Sequence, residues 1–422
     1  MRIGRTLPPA AAPITHANLR SGVRAFFRGA SAIAHFRAEL EDYFQTKHCF
    51  LVSSGKAALL LTLTALKELH PERDEVLVPA FNCFSVPSAI VRAGLKITLC
   101  DIDPETLDFD YAQVRTKLDN PRLLCVIPTH LFGRPADIFR LKVMLAGSMV
   151  TVIEDAAQAF GGEVAGRKLG TLGDVGLFSL GRGKALSTVE GGIVLTNRTD
   201  LAREIEKVHA RLPACSLLRT LKLGLHALTL AILQHPLLYW LPNSLRFLKL
   251  GQTLYDPAFE ALGYTAFQCG LAKGWQSRIA DLKQIRKRHS AEWAIFLDGL
   301  SQIHYGRHWG ESPALIGFPW QVKSKDLRSQ ILKKSRQIGL GIAAIYPYSI
   351  ARIPSLKKTF QPEIYPIAEH CAGTLVTLPV HPLLKAQDIE KIKRIISDVA
   401  GNEGARIADK VKVLGESSLQ SQ

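Results

Sequence analysis

The sequence lacks the usual marks of a secreted, metal-binding or nucleic-acid-binding protein. Its seven cysteines form no CxxC pair and have no regular spacing, so neither a zinc site nor a disulfide framework is predicted. The first residues mix Arg2 and Arg5 with three prolines and contain no sustained apolar core, so no signal peptide is expected. These absences favour a reduced, cytoplasmic protein with no metal site.

Acidic residues are scarce relative to basic ones. The chain has 53 Lys and Arg against 37 Asp and Glu, a formal net charge of +16. Such a charge suits nucleic acid, anionic membranes or phosphorylated substrates, and does not choose among them. Zinc-finger spacing and a clear RNA-binding signature are both missing, so no nucleic-acid partner is predicted. Each of the basic clusters 283–288 and 323–336, taken singly, is best explained by a solvated surface.

A nucleotide-binding P-loop is absent as well. The motif GxxxxGK[ST] requires a glycine five positions before the Gly-Lys pair. Before Lys56 the required glycine is replaced by Phe50, and before Lys184 it is replaced by Phe178. Neither lysine therefore belongs to a Walker A motif.

What the chain does have is alternation of short apolar runs with helix-length segments. With 422 residues and 47% hydrophobic content it can build two or three domains. The alternation predicts a mainly parallel sheet covered by helices on both faces. The runs are Glu75 to Val78, Leu95 to Cys100, Leu123 to Ile127 and Val150 to Ile153.

The stretch 150–196 brings candidate functional groups to successive strand ends. Its first strand ends in Glu154 and Asp155, and a second apolar run leads through Ser179 into a glycine-flanked turn that carries Lys184. Open α/β sheets bind ligands at the carboxyl ends of their strands. An amine, a carboxylate and a hydroxyl placed there meet the needs of pyridoxal phosphate, namely an imine partner, an anion for the pyridine nitrogen and a phosphate donor.

From spacing alone another interpretation stays open. Lys184 can be a solvated loop lysine and Asp155 a helix cap, because such pairs are common in α/β proteins. A second phosphate signal lies upstream, where the strand 48–52 turns through small residues into an apolar helix. The helix start offers free backbone N–H groups to an anion, so Gly55 and Lys56 are predicted as backbone phosphate ligands.

Several motifs together resemble the DegT/StrS-type sugar aminotransferase family, fold-type-I pyridoxal-phosphate enzymes of the aspartate aminotransferase fold. They are SSGKAALLLTLTAL, EVLVPAFNCFSVPSAIVRAGLKITLCDIDPETLDFD, VIPTHLFGRPADI, VIEDAAQAFGGEVAGRKLGTLGDVGLFSLGRGKALSTVEGGIVLTN and LVTLPVHPLLKAQDI. The resemblance implies an α/β fold, with a large domain whose mainly parallel sheet lies between helices and a smaller C-terminal α/β domain.

It also implies roles for single residues. Lys184 matches the Schiff-base lysine, Asp155 the partner of the pyridine nitrogen, Gln158 a residue beside the ring and Ser179 a phosphate ligand. The expected activity is transfer of an amino group from an amino acid such as glutamate to a keto sugar, nucleotide-linked, in polysaccharide or glycan precursor synthesis. A homodimer is expected from the same fold.

Departures from the family pattern leave parts of the site open. Cys83 stands where relatives often carry a ring-stacking aromatic, so either Phe84 replaces it, with packing as its other possible role, or a thiol edge holds the ring. Ala261 and Gly263 stand where relatives carry an asparagine and an arginine, which puts the phosphate contact from a neighbouring subunit in question. Lys56 replaces a threonine, and its side chain is expected to compensate.

Two alternatives come from other functional classes. Some relatives use the fold for sugar dehydration or deoxygenation, often with histidine at the lysine position, and Lys184 argues against that subgroup. A non-catalytic scaffold or regulator of envelope-polysaccharide assembly is the other, because fold does not fix function.

The predicted domain organisation has five parts. An N-terminal helical arm covers 1–44, with Phe26, Phe27, Ile33 and Phe36 as docking residues. The remaining parts are a large cofactor-binding domain over 45–210, a leucine-rich basic insert over 211–258, a small C-terminal domain over 259–400 and a loose tail over 401–422. Within the small domain, a helix is expected near 265–288 and strands near 315–322 and 342–346.

The insert 217–250 is predicted to lie on a membrane surface, on the inner side of the membrane, without crossing it. Residues 223–245 contain no Asp, Glu, Lys or Arg and are long enough to span a bilayer. A single crossing would, however, separate Lys184 from the second domain.

The pattern within the insert fits an interfacial helix. An apolar stripe at helical spacing lies beside a polar one that includes Arg219 and Lys222, and Pro236 ends the helix before Tyr239 and Trp240. Packing of the apolar face against the large domain or a partner subunit is the alternative that stays open. The apolar stripe comprises Leu217, Leu221, Leu225, Leu228 and Ile232.

Overall fold

The computed structural model describes residues 3–245, 253–301, 307–308 and 315–399. A seven-stranded sheet forms its centre. The strands are β1 (His48–Val52), β2 (Glu75–Pro79), β3 (Lys96–Cys100), β4 (Leu123–Val126), β5 (Thr151–Asp155), β8 (Val175–Ser179) and β9 (Gly192–Thr196). Two further strands, β6 (Glu163–Val164) and β7 (Arg167–Lys168), form a separate antiparallel pair.

The central sheet is mainly parallel. Its order is β1-β9-β8-β5-β4-β2-β3, and β9 pairs antiparallel with both of its neighbours while the pairs from β8 to β3 are parallel. Both faces are buried, because strand alternation sends Val76 and Val78 into one apolar core and Leu77 into the other. The predicted α/β fold is therefore confirmed.

Helices cover both faces of this sheet and build the rest of the chain. They are α1 (His16–Arg28), α2 (Ala30–Phe44), α3 (Gly55–Leu69), α4 (Ser85–Arg92), α5 (Tyr111–Lys117), α6 (Ile138–Met144), α7 (Thr199–Ala210), α8 (Leu217–Leu233), α9 (Trp240–Ser244), α10 (Ala266–Ala272), α11 (Trp275–Ser301), α12 (Lys325–Ile338), α13 (Pro366–Thr374) and α14 (386–399).

A second, antiparallel sheet lies in the C-terminal part. It consists of β10 (Arg307–His308), β11 (Phe318–Gln321) and β12 (Leu375–Leu378), in that order. The strand predicted over 342–346 is wrong, because this segment makes a single isolated bridge, from Ala343 to Thr377. Gly339 and Gly341 both adopt positive φ and bend the chain there. The single helix predicted near 265–288 is two helices, since Gly274, also at positive φ, separates α10 from α11.

The N-terminal arm is helical only from residue 16. Residues 3–14 contain no helix, in keeping with the three prolines in this segment. Thr15 then caps α1 in a capping box with Asn18. Phe36 is buried, as expected, but Phe26 and Phe27 are 39% and 81% exposed, so these two side chains do not pack the arm against the rest of the chain.

The leucine-rich insert forms α8 and α9. Ser216 caps α8, and the helix ends at residue 233, shortly before Pro236. At 17 residues α8 is shorter than the roughly 20 needed to span a bilayer, and no described helix is long and apolar enough to cross one. The domain boundaries stay a prediction, and the tail 401–422 lies outside the described residues.

Candidate active site

Parallel pairing places the carboxyl ends of β5 and β8 side by side. Asp155 lies opposite Leu177 in the register, so Asp155 and Ser179 leave the sheet at the same edge. The turn after β8 carries Lys184, with Gly183 in the left-handed conformation at φ 78°. Three of the residues singled out in the sequence are thus brought together at one edge of the sheet.

Asp155 is the carboxylate that faces this edge. Its Oδ1 accepts a hydrogen bond from the backbone N–H of Ala157 at 3.1 Å, and the residue keeps partial access to solvent. Burial among neighbouring atoms raises the pKa of Asp155, while the hydrogen bond from Ala157 and the charge of Lys184 lower that pKa. Asp155 and Lys184 therefore lie close enough to interact, and the carboxylate can still accept a further N–H.

The neighbouring Glu154 has a different environment. Its side chain is fully buried and accepts backbone N–H groups from Gly170, Leu172 and Gly173 at 2.8, 2.5 and 2.5 Å. His130 Nε2 lies 2.8 Å from the same carboxylate. Four donors occupy its oxygens, so Glu154 has no capacity left for a ligand.

The tautomer of His130 follows from its second contact. The backbone N–H of Ala136 donates to Nδ1 at 3.0 Å, so Nδ1 is an acceptor. Nε2 then carries the proton and donates it to Glu154. This network holds the loop 170–173 and the segment 130–136 to the end of β5, directly behind Asp155.

An anion cradle lies where β1 turns into α3. Ser54 Oγ caps the helix by accepting from the N–H of Ala57 at 3.1 Å, and the first backbone N–H groups of α3 lack an intrahelical acceptor. A Cβ at Gly55 would lie 2.9 Å from Cβ of Ser179, so only glycine allows this close approach. Gly55, Lys56 and Ser179 therefore converge on one small space at a helix start.

The side chain of Lys56 points to other partners. Its Nζ lies 3.3 Å from Oδ2 of Asp256 and 4.5 Å from the centroid of the Phe259 ring. The positive charge is thus already paired with a carboxylate, which does not favour the expected compensation by this side chain. The backbone N–H of Lys56 remains available to an anion.

Gln158 bridges two parts of the chain. Its Oε1 accepts from the N–H of Phe132 at 3.0 Å, and its Nε2 donates to the hydroxyl of Tyr346 at 2.9 Å. Burial raises the pKa of the Tyr346 phenol well above its usual range, and the nearby groups of Cys83 and Asp155 raise it further. The phenol therefore stays protonated beside the carboxylate.

Sequence reasoning missed this role of Tyr346. The residue lies 188 positions from Gln158 in the chain, and no local pattern distinguishes it from other aromatic residues. The only available signal was its position in the aromatic run Tyr346-Pro347-Tyr348.

Cys83 and Phe84 have different surroundings. Phe84 is buried, with its ring stacked on Tyr348 at 5.1 Å and on Tyr346 at 6.4 Å. Cys83 is half-buried, and its Sγ lies 3.4 Å from Oγ of Ser85. Phe84 thus packs against two tyrosines, in keeping with one of its two interpretations, and the Cys83 thiol lies near the phenol of Tyr346; a role of either side chain beside the cofactor stays a prediction.

Two segments cover the lysine turn. The backbone N–H of Thr6 donates to the carbonyl of Pro236 at 2.7 Å, and a Cβ at Gly183 would lie 3.5 Å from Cβ of Ala10. Arg182 lies close enough to Tyr239 for its charge to lower the pKa of that phenol, against the larger effect of burial. The N-terminal segment and the connection between α8 and α9 therefore lie against this turn.

Comparison with known proteins identifies similar chains. Residues 19–214 match the model of the DegT/DnrJ/EryC1/StrS aminotransferase family. The L-glutamine:2-deoxy-scyllo-inosose aminotransferase of Streptoalloteichus tenebrarius is 37% identical over 196 residues, 46% of each chain. The matched region thus spans about half the length of this relative.

A longer match and a solved structure extend the likeness. The UDP-N-acetyl-3-dehydro-alpha-D-glucosamine 3-aminotransferase of Acidithiobacillus ferrooxidans is 26% identical over 365 residues, 85% of this chain and 86% of the relative. The PLP form of the putative sugar aminotransferase Spr1654 from Streptococcus pneumoniae superposes with a TM-score of 0.73 at 19% identity, covering 94% of this chain and 99% of that one. At this identity the superposition shows a shared fold.

Proposed function

We propose that the chain is a member of the DegT/DnrJ/EryC1/StrS aminotransferase family, whose model matches residues 19–214, and that it is a pyridoxal-phosphate-dependent aminotransferase acting on a keto sugar. The observation that carries this proposal is the convergence of Asp155, Lys184 and the Gly55–Ser179 cradle at one sheet edge. A carboxylate, an amine and an anion site are the three groups that this cofactor needs.

The donor set fits the cofactor. Backbone N–H groups of Gly55 and Lys56, with the hydroxyl of Ser179, would hold its phosphate at the start of α3. Asp155 would face the pyridine nitrogen, and Lys184 the aldehyde carbon. When bound, the cofactor supplies a conjugated ring that withdraws electrons from the carbon losing its proton.

The protein's own residues then have distinct tasks. Lys184 Nζ is the group that would accept and return the proton at the substrate carbon, because it is the amine on the turn facing this edge. Asp155 would keep the pyridine N–H protonated through its negative charge. The His130–Glu154 network holds the segment behind Asp155 in place, and the neutral phenol of Tyr346 holds the amide of Gln158.

The substrates are inferred from the relatives. The names of two of them specify an amino group delivered to an inosose and to a 3-dehydro sugar carried on UDP. For this chain the proposed acceptor is a nucleotide-linked keto sugar and the proposed donor an amino acid such as glutamate. The product would enter polysaccharide or glycan precursor synthesis.

The setting of the enzyme is also proposed. We infer a homodimer, because the resemblance to this family implies one. The cytoplasm is the proposed location, with peripheral contact to the inner membrane surface through 217–250. Ala261 and Gly263 cannot supply an asparagine side chain to a neighbouring phosphate, so the partner subunit is not assigned that contact.

An absorbance experiment tests the catalytic proposal. Purified protein loaded with pyridoxal phosphate should absorb visible light near the wavelength of a lysine-bound cofactor, and adding glutamate should shift that band towards the amino form. A protein that binds no cofactor, or whose band does not respond to any amino acid, would favour the scaffold alternative.

A further inference from the structure

We propose that α1, α8 and α9 together form a docking surface for the interface of an anionic lipid bilayer. This inference extends the peripheral contact named above from one segment to three helices, and it does not depend on aminotransferase activity. The outward apolar side chains of this docking surface are Val23, Phe26, Phe27, Leu217, Leu218, Leu221, Leu225, Leu228, Ile232, Leu237, Leu238, Leu241 and Leu245.

Helix α8 has three faces, of which one is buried. Thr220, Leu223 and Ala227 point inward, where the two apolar residues pack in a cluster with Phe267 and Leu271. The six outward apolar side chains of α8 are between 44% and 63% exposed. At 100° per residue these six fall within one third of the helix circumference. The alternative that this face packs against the large domain of the same chain is therefore wrong.

The third face of α8 is polar and flanks the leucines. It carries Lys222, His226 and Thr229, all exposed. Arg219, at the border of this face, is bound to Glu190 at 2.8 Å and ties α8 to the loop that follows Lys184. An apolar strip bordered by basic residues is the arrangement of a helix that lies in a membrane interface.

Helix α1 lies beside α8 and has the same character. A Cβ at Gly22 of α1 would lie 2.8 Å from the Phe267 ring, and a Cβ at Gly224 of α8 would lie 3.8 Å from the same ring. Both helices therefore pack against this one aromatic side chain. The outward side of α1 mixes Val23 and Phe27 with exposed arginines. These arginines are Arg20, Arg24 and Arg28.

The charge of the two segments decides which occupant fits. Residues 1–38 and 207–255 each contain six Lys or Arg and neither contains an Asp or Glu. Of these, Arg20, Arg24, Arg28 and Lys222 lie on the exposed faces of α1 and α8, whereas others, such as Arg211 and Arg219, are paired with carboxylates elsewhere in the chain. A second copy meeting the same surface across a two-fold axis would bring like charges together, whereas anionic headgroups would neutralise them.

The geometry also sets an orientation. The connection between α8 and α9 is hydrogen-bonded to the N-terminal segment, where Thr6 donates to Pro236, and Ala10 of that segment lies against Gly183 in the lysine turn. Docking by this surface would therefore bring the candidate active site close to the lipid.

Flotation of full-length protein with vesicles tests the proposal. Wild type should rise with vesicles of phosphatidylcholine and phosphatidylglycerol at low salt, and should rise less at high salt and with phosphatidylcholine alone. The variant Leu225→Ser/Leu228→Ser/Ile232→Ser should lose affinity by roughly a hundredfold or more. Wild type that stays at the bottom at low salt would overturn the proposal.

Charge variants separate the surface from the overall charge. Arg20→Gln/Arg24→Gln/Arg28→Gln should weaken binding to anionic vesicles by roughly a hundredfold, since each basic residue near the surface contributes about 1 kcal/mol. The control Lys333→Gln/Lys357→Gln/Lys358→Gln removes the same charge elsewhere and should float nearly as wild type. Equal losses in both variants would mean that charge alone drives binding, and would overturn the docking surface.

Matched controls address the apolar face and folding. Val143→Ser/Met149→Ser/Ile295→Ser changes exposed apolar residues on other elements and should float as wild type. In light scattering, the molar mass of the leucine variant in solution should equal that of wild type, whereas conversion from dimer to monomer would assign the face to a second copy.

Hydrogen exchange of wild type should slow in peptides of α1, α8 and α9 when anionic vesicles are added, and unchanged exchange there would also overturn the proposal.

Discussion

Two regions meet at the end of β5, a closed hydrogen-bond network around Glu154 and an open edge around Asp155. Glu154 is fully buried and has four donors on its carboxylate, whereas Asp155 has one backbone donor and partial access to solvent. Adjacent strand residues point to opposite sides of a sheet. Glu154 therefore stabilises the fold, and Asp155 remains free to interact with a ligand.

The largest effect is expected at the open edge, from Lys184→Ala. Activity should fall by at least about 10⁴-fold, because both the covalent attachment and the proton transfer use this amine. Borohydride treatment followed by denaturation should leave no cofactor attached to the variant. Its free energy of unfolding should differ from that of wild type by less than ~0.5 kcal/mol. Lys56→Ala is the matched control and should keep the attached cofactor. A cofactor still fixed by borohydride in Lys184→Ala would mean that another lysine is used.

In the closed network, Glu154→Ala should cost stability. The change leaves three buried N–H groups and His130 without their acceptor, so the free energy of unfolding should fall by about 3–5 kcal/mol. Denaturant unfolding of the cofactor-free protein measures this loss of free energy. Asp155→Asn serves as the comparison and should change the free energy by less than ~1 kcal/mol. Equal losses in the two variants would break the distinction between the regions.

Asp155→Asn, which should hardly change stability, is expected to slow the reaction strongly. The amide keeps the shape of the carboxylate without its charge, so the cofactor should still bind while the reaction with glutamate slows by on the order of 10²–10³-fold. Single-turnover absorbance measurements with saturating glutamate give this rate. A nearly normal rate would show that Asp155 does not face the pyridine nitrogen.

The smallest effect concerns pH and the cofactor-free protein. Burial raises the pKa of Asp155 above 3.8, so the folded state holds this proton at pH values at which the unfolded chain has lost it. The contribution of Asp155 to the free energy of unfolding should therefore fall as pH rises from 3.8 through the raised pKa. In urea unfolding across this range, Asp155→Asn should therefore gain stability relative to wild type as the pH rises. An identical pH dependence would contradict the raised pKa.

Much of the fold could be predicted from the chain because its signals are local. Buried parallel strands are short apolar runs, and helices between them carry their own caps, so element order and sheet type follow from reading along the sequence. The errors lie where the signals are weak. Residues 342–346 have the composition of a strand, but the positive-φ glycines before them direct the chain elsewhere.

The candidate site divides in the same way. Lys184, Ser179 and Asp155 could be named because each follows directly from a strand end. The choice between Glu154 and Asp155, the pairing of Lys56 with Asp256 and the packing of Phe84 could not, because each depends on a contact with a distant part of the chain.

By itself the sequence determined the parallel sheet, the lysine and carboxylate at its edge, and the apolar stripe of α8, since periodicity and strand ends are properties of neighbouring residues. Only the tertiary structure decided that Tyr346 meets Gln158, that the leucines of α8 face outward and that the α8–α9 connection lies against the lysine turn. The reason is physical. Such contacts join residues tens to hundreds of positions apart, and packing of whole elements, which no local pattern encodes, brings them together.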